Sequence, residues 1–207
     1  MPDSTDQVVS LPTPRLILAS ASPRRQQFMR QAGYEYLVHP AEIDEARAPA
    51  NLLPLDLAKH LAFAKARAVA DLYPSDLILA ADTIVAFGDR ALGKPSGEAD
   101  ARRMLALLSG TTHIVITGVT LMCKATQFEQ TRAAMSAVRM RDLRTSEIDA
   151  YIASKLWMGK AGGYGIQDDD PFVLRMSGSL SNIVGLPMEL TAEMLAGVGV
   201  MAGEKKG

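Results

Sequence analysis

The chain has 207 residues, of which 48% are apolar and 22% are charged, a composition typical of a folded globular protein. Its formal net charge of −1 excludes the strong positive field of a general nucleic-acid binder. A single cysteine excludes an internal disulfide framework and a thiolate metal cluster. No apolar run of about 18 residues and no secretory signal pattern is present, so we expect a cytoplasmic protein without a membrane span.

Composition divides the chain into three parts. Residues 1–14 are polar and contain three prolines, which is typical of a flexible leader. We expect a single domain at residues 15–197, followed by a flexible tail at residues 198–207.

The hydrophobic pattern predicts alternating strands and helices, then several strands in succession. In chain order it predicts a buried strand at 15–20, a helix from Ser22-Pro23 to Gly33, a strand at 34–38, a loop at 39–51 and an amphipathic helix at 54–72. There follow a strand at 77–87, a helix capped by Ser96 and closed by Gly110, strands at 113–122 and 133–140, and a helix from Thr145. Residues 158–171 are glycine-rich and irregular, a strand lies at 172–176, and Gly185-Leu-Pro187 opens the last helix. This order predicts an α/β domain with a mixed sheet.

The first candidate site lies where the first strand meets the first helix, at Ser20-Ala-Ser22-Pro-Arg24-Arg25. Ser22 fits the N-cap and Pro23 the first helical position. Outward-facing N–H groups, two hydroxyls and two guanidinium groups together suit a phosphate chain. A capped helix with two solvated arginines explains the same residues equally well.

Two acidic segments are further candidates. Asp82-Thr83 follows a wholly apolar run, and a carboxylate at the end of a buried strand favours a functional role over a simple turn. Asp44-Glu45 lies in a loop, where a solvated pair is the commoner outcome. If the loop carboxylates meet Asp82 in the fold, the group could hold a hard divalent cation.

Lysines and glycines supply the remaining candidates. Lys65 lies within the amphipathic helix and Lys94 in a Gly-Lys-Pro turn; either could be an ordinary surface charge. The segment 160–167 combines glycines with Tyr164 and Gln167, so it could approach and recognise a flat ligand, or be a loop with an aromatic anchor. The acidic run 168–170 is expected to be solvated.

Taken together, these pieces resemble the Maf family of nucleoside triphosphate pyrophosphatases. The matching pieces occur in the family's order and are 16–25, 44–45, 65–66, 81–83, 93–95, 108–110 with His113, 117–118, 160–167 and 185–187. They extend over residues 15–195, nearly the whole chain.

The resemblance implies a Maf/inosine triphosphatase-like α/β fold, with a mixed central sheet flanked by helices and a cleft between two lobes. It implies hydrolysis of a nucleoside triphosphate to the monophosphate and pyrophosphate, a divalent metal (Mg²⁺ or Mn²⁺), cytoplasmic location and, as one possibility, a homodimer. Carried over by position, Asp82 matches the catalytic proton acceptor, with Glu45 and Lys94 as further catalytic residues. Ser20, Ser22, Arg25 and Lys65 match other active-site positions.

Three positions separate subgroups of that family. This sequence has Arg24, Thr83 and Gln167, which resemble the dTTP/UTP pyrophosphatases, whereas 7-methyl-GTP pyrophosphatases tend to have an aromatic residue, Gln and Glu there. The acidic residues after Gln167 depart from the family pattern. If they face the pocket, they would repel phosphate and alter base selectivity.

These observations give one mechanistic hypothesis and two alternatives. Ser22, Arg25, Lys65 and Lys94 would hold the phosphates, while Glu45 and Asp82 would bind the metal and Asp82 would deprotonate the attacking water. The alternatives are a 7-methyl-GTP-type pyrophosphatase and a nucleotide-binding cell-division regulator with little catalysis. A single-stranded nucleic-acid binder is disfavoured because basic and aromatic residues do not interleave.

Overall fold

The computed structural model of the protein describes residues 14–168 and 172–203. Within them, a seven-stranded sheet has the order β2-β1-β3-β5-β6-β7, and β4 pairs with β3. The strands are β1 (Leu16–Leu18), β2 (Leu37–Val38), β3 (Leu77–Phe87), β4 (Arg90–Leu92), β5 (Thr112–Cys123), β6 (Phe128–Met140) and β7 (Val173–Ser177). β1 is parallel to β2 and β3, and the other pairings are antiparallel.

Six α-helices accompany the sheet in the described part of the chain. They are α1 (Pro23–Gln31), α2 (Pro54–Ala70), α3 (Glu98–Leu108), α4 (Thr145–Ser154), α5 (Leu180–Val184) and α6 (Met188–Ala196). Short 3-10 turns lie at Glu45–Arg47 and Ala161–Gly163. The predicted α/β class, with a mixed sheet flanked by helices, is confirmed.

Alternate residues of β3 pack on opposite faces of the sheet, as its period of two requires. On one face Ile78 and Ala80 pack with Ala66 and Val69 of α2. On the other face Leu79 and Ala81 belong to a cluster that includes residues of α1 and α6. This explains why the β3 sequence reads as a continuous apolar run, since helices cover it on both sides.

Several local predictions need correction. Gly97, not Ser96, is the N-cap of α3; instead Ser96 donates from its N–H and its hydroxyl to Asp100 Oδ2 at 3.1 and 3.3 Å. β4 and α5 were not predicted, because each is too short to show a period. β6 begins five residues earlier than expected, because its first half lies at the surface and lacks an apolar pattern.

Residues 1–13 of the predicted leader and 204–207 of the predicted tail lie outside the described residues. The described part of the tail packs against the domain. Val198 and Val200 pack against the hydrophobic cluster that contains Leu79 and Ala81 and residues of α1 and α6. The N–H of Gly203 donates to Gly33 O at 2.9 Å. Among the described residues, no helix is long and apolar enough to cross a membrane.

Candidate active site

The candidate site lies beside an open stretch of β3. β1 pairs with β3 only as far as Leu18 opposite Leu79, and β4 pairs with it only from Val85 onward. In the described residues, no strand covers that edge of β3 between these two pairings. Asp82 and Thr83 lie in this gap, and their side chains point to opposite faces of the sheet because neighbouring residues of a strand alternate. Since no described strand separates the two faces here, both side chains line the same cleft.

Asp82 is brought to its partners by close packing between the sheet and α2. It lies directly opposite Gly118 of β5. A Cβ at Gly118 would lie 2.3 Å from Ala58 O in α2, well inside van der Waals contact. The absence of a side chain therefore lets α2 approach the sheet at this point, and Lys65, two turns further along α2, reaches Asp82.

Lys65 connects the two predicted carboxylates. Its Nζ lies 2.5 Å from Asp82 Oδ1 and 2.7 Å from Glu45 Oε1. Lys65 and Asp82 are both buried, whereas the side chain of Glu45 is partly exposed. Glu45 is the first residue of the short 3-10 turn, whose N-cap, Asp44, accepts from the N–H of Ala46. The structure thus brings the loop carboxylate and the strand carboxylate together, which sequence spacing alone left open.

The two carboxyl groups are tuned in opposite directions. Burial raises the pKa of the Asp82 carboxyl above its ordinary value, and this outweighs the opposing effect of Lys65. The pKa of the Glu45 carboxyl is lowered. Burial acts to raise it, but the hydrogen bond and charge of Lys65, together with the charges of Lys94 and Arg25, outweigh that effect. Glu45 is therefore the better anion and Asp82 the better proton acceptor.

Arg25 lines the cleft and connects three separate parts of the chain. Its Nε donates to Gly185 O at 2.7 Å, and its terminal nitrogens donate to Ser20 Oγ and Thr83 Oγ1, each at 3.2 Å. The Thr83 hydroxyl is also within 2.9 Å of Thr117 Oγ1. Arg25 is thereby fixed in position. Thr117 and the carbonyl of Gly185 are site contacts to which the sequence assigned no role, although both lie in segments that match the family.

The start of α1 faces the cleft without a side-chain cap. Ser22 occupies the N-cap position, as expected, but its side chain makes no capping hydrogen bond. Its own N–H donates to Ser20 Oγ at 3.3 Å, and Arg24 reaches Gly159 O at 3.5 Å. The first N–H groups of α1 are therefore not capped by Ser22 and suit an anion.

The glycine-rich segment forms another part of the cleft lining and packs against the Gly-Lys-Pro turn. The N–H of Gly162 donates to Gly93 O at 2.9 Å, next to Lys94. Gly162 has φ +70°, and a Cβ there would lie 2.9 Å from Val85 Cγ2, so only glycine fits this contact. Tyr164 is buried, and its hydroxyl lies 2.6 Å from His113 Nε2.

The acidic run after Gln167 differs from expectation where it is described. Asp168 is not a solvated charge: its side chain accepts from Tyr151, Lys160 and the N–H of Gly165. Its polar partners explain why it tolerates burial. Asp169 and Asp170 lie outside the described residues.

The structure gathers the ten residues that the family resemblance assigns to the site around one cleft of about 650 Å³, whereas Asp44 is not among its lining residues. These are Ser20, Ser22, Arg24, Arg25, Glu45, Lys65, Asp82, Thr83, Lys94 and Gln167. Such a volume is within the range of small-molecule sites. Lys160 and Asp168 also line it. Their pairing could not be recognised from the sequence, since only the fold brings the two side chains together.

Glu45 and Asp82 are the groups that could hold a metal ion. The described residues contain no cluster of three or more His, Cys, Asp or Glu side chains suited to a metal. Mg²⁺ commonly takes one or two protein carboxylates and completes its shell with water and substrate phosphates. The Lys65 ammonium, a cation shared by both carboxylates, shows that this pair attracts positive charge. The residues therefore fit a metal that is bound together with a polyphosphate.

Fold and site define an α/β protein whose cleft combines paired carboxylates with cations and an uncapped helix start. A family profile described as Maf-like protein matches residues 15–198, and the chain belongs to the Maf family. The dTTP/UTP pyrophosphatase of Maricaulis maris is 47% identical over 195 residues, 92% of this chain and 91% of that protein. The dTTP/UTP pyrophosphatase of Caulobacter vibrioides is 44% identical over 188 residues, 90% of this chain and 96% of that protein.

Among solved structures, the chain matches a nucleoside-triphosphatase / dITP/XTP pyrophosphatase from Mycobacterium abscessus. The TM-score is 0.46 at 13% sequence identity, and the match covers 89% of this chain and 97% of that one.

Proposed function

We propose that this protein hydrolyses dTTP and UTP to the nucleoside monophosphate and pyrophosphate. The observation that carries the proposal is the convergence on one cleft of the start of α1, the carboxylates of Glu45 and Asp82, and the cationic side chains of Arg25, Lys65 and Lys94. It is supported by the similarity to the two dTTP/UTP pyrophosphatases over nearly the whole chain. A triphosphate carries about four negative charges near neutral pH, so its cleavage needs this combination of donors and cations.

In this proposal the phosphate chain lies between the start of α1 and the Lys94 turn. Ser22 and the first N–H groups of α1 donate to phosphate oxygens. Arg25, held by Ser20, Thr83 and Gly185, retains further N–H donors for the same chain. Lys65 and Lys94 offset the charge that develops on pyrophosphate as the bond between the α- and β-phosphates breaks.

Asp82 is the proposed general base. Its carboxylate orients the attacking water and accepts its proton, a role for which a raised pKa is favourable. Glu45, whose pKa is lowered, stays ionised and is the proposed metal-binding partner of Asp82. A bound Mg²⁺ or Mn²⁺ would neutralise phosphate charge and polarise the reacting phosphoryl group.

The proposed selectors of the base are Arg24, Thr83 and Gln167. Arg24 and Gln167 line the same cleft, and Gln167 is exposed to it. The Thr83 hydroxyl is bonded to Arg25 and Thr117, so it acts by shaping the wall as well as by direct contact. We further propose that the protein works in the cytoplasm and forms a homodimer, to be tested by sedimentation.

The decisive experiment is a panel of canonical, 5-substituted and 7-methylated nucleoside triphosphates assayed for pyrophosphate release, with Mg²⁺, with Mn²⁺ and with EDTA. We expect release from dTTP and UTP that EDTA abolishes and added metal restores. A higher kcat/KM for 7-methyl-GTP than for dTTP and UTP would overturn the assignment of pyrimidine bases to this site. Tight binding of dTTP without any pyrophosphate release would indicate a nucleotide-binding regulator instead. Activity unchanged by EDTA would remove the metal from the proposal.

A further inference from the structure

Gln167 lies in a tight turn that lines the cleft. The N–H of Asp168 donates to Gly165 O at 3.2 Å, which closes a four-residue turn with Gln167 in its third position. In the opposite direction, the N–H of Gly165 donates to Asp168 Oδ2 at 3.0 Å. Asp168 thus closes the turn twice, once through its backbone and once through its side chain.

The same carboxylate anchors this turn to the rest of the protein. Asp168 Oδ2 also accepts from the hydroxyl of Tyr151, on α4, and Asp168 Oδ1 accepts from Lys160 Nζ at the start of the glycine-rich segment. The side chains of Asp168 and Lys160 are only 10% and 15% exposed. Three groups from three parts of the chain, Tyr151, Lys160 and Gly165, therefore meet at one buried carboxylate.

Gly165 is part of this arrangement. A Cβ there would lie 2.7 Å from Lys160 Nζ and 2.8 Å from both oxygens of Asp168. The ion pair therefore passes directly over the backbone of Gly165, where only a hydrogen leaves room for it.

We propose that Asp168 is a positioning residue for substrate selection: its carboxylate holds the turn that presents Gln167 to the nucleobase. This inference rests on the proposed function, because it assigns Asp168 a part in the same site. Buried hydrogen-bonded networks rigidify the groups that they connect, and a recognition group acts best when its support is fixed in advance.

A rival role for this carboxylate is repulsion of the substrate phosphates. Asp168 lines the cleft, so an uncompensated charge would weaken triphosphate binding. The contact with Lys160 compensates that charge locally. The two roles predict opposite signs: removing a repelling charge lowers KM, whereas loosening the turn raises it.

The test is a double-mutant cycle between Asp168 and Gln167, measured as kcat and KM for dTTP. Asp168→Ala should raise KM about tenfold with a smaller change in kcat, the scale of one lost hydrogen bond to the substrate. Asp168→Asn should raise it less, since one oxygen can still accept from Tyr151 and Gly165. In a Gln167→Ala background, Asp168→Ala should raise KM no further, because the group it positions is already gone.

The control is Asp149→Ala. Asp149 is an exposed acidic residue on α4 that pairs with Arg102, so its loss removes the same charge without touching the turn, and KM should not change. If Asp168→Ala does not fold, the cycle is run with Asp168→Asn.

Two outcomes overturn the inference while leaving the proposed function intact. One is a lower KM for dTTP in the Asp168 variants than in wild type, and the other is a double variant in which the separate effects of Asp168→Ala and Gln167→Ala on KM multiply. A wild-type protein that releases no pyrophosphate from dTTP or UTP overturns the proposed function and this inference with it.

Discussion

At the scale of single residues, the site depends on how one lysine is shared. The sequence placed Lys65 on a helix with no sign of its partners, and the structure places its Nζ between Glu45 and Asp82. A buried set of charges such as Glu45, Lys65 and Asp82 is stable only when the charges are matched and hydrogen-bonded. The same lysine can therefore hold the two carboxylates near each other and offset their mutual repulsion before a metal and a triphosphate enter.

Asp82→Asn removes the proposed proton acceptor and leaves Glu45 as the remaining carboxylate of the proposed metal-binding pair. Lys65 retains Glu45, and the amide has the shape of the carboxylate, so we expect the fold and most nucleotide binding to remain. Turnover should fall by ~100-fold or more, the usual scale for a positioned base. Steady-state pyrophosphate release, with dTTP binding by calorimetry, measures both. Near-normal kcat would remove Asp82 from this role, and Asp149→Asn should behave as wild type.

His113 predicts a specific acid sensitivity of the fold. It is buried, its Nδ1 has no hydrogen-bond partner in the described structure, and burial lowers its pKa from 6.5 to about 4. As pH falls below 6.5, the His113 imidazole binds a proton in the unfolded chain but stays neutral in the native state until about pH 4. The free energy of unfolding should therefore decline between pH 6.5 and 4, by about 3 kcal/mol in total.

His113→Gln tests this, since its amide oxygen can still accept from Tyr164 but does not titrate. Urea unfolding at pH 7 and pH 4.5 should show a smaller acid loss in the variant than in wild type. Equal losses in the two proteins would show that His113 is not the group responsible.

At the scale of elements, the distance between α2 and the sheet decides whether the site forms. Gly118→Ala places a methyl group against the backbone of α2, 2.3 Å from Ala58 O. Backbone cannot rotate away as a side chain can, so we expect a loss of about 1–3 kcal/mol in the free energy of unfolding. Displacement of α2 also withdraws Lys65 from Asp82, so kcat/KM should fall as well.

Gly97→Ala is the matched control for that change. Gly97 is extended, with φ 178°, and a Cβ there meets nothing within 4 Å. Urea unfolding and pyrophosphate assays on both variants separate the packing clash from a general effect of replacing glycine. A Gly118→Ala protein with wild-type stability would show that α2 can move at little cost.

At the scale of the whole molecule, the cleft exists because strands of unequal length are paired. β1 has three residues and β3 has eleven, so β3 extends beyond its parallel neighbour. Ligands of open α/β sheets gather beyond the carboxyl ends of strands, and here the chain leaves β1 into α1 at this point. The start of α1, the open part of β3 and the glycine-rich segment consequently face one space.

The sequence determined the α/β class, most helices and strands, and the identity of the candidate site residues. Local chemistry was enough for the class and the elements, because apolar periodicity and Pro23 at a helix start act over short stretches of chain. The candidate site residues came from the resemblance of the ordered motifs to the Maf family. It missed β4 and α5, which are too short to show a period.

Only the tertiary structure decided which groups meet. Glu45, Lys65 and Asp82 are separated along the chain, and their contact depends on the close approach of α2 permitted by Gly118. Asp168 looked like a solvated charge, but the fold supplies Tyr151 and Lys160 as partners. Burial and pairing arise from long-range packing, so the pKa of Asp82 and the partners of Asp168 could not be read from neighbours in sequence.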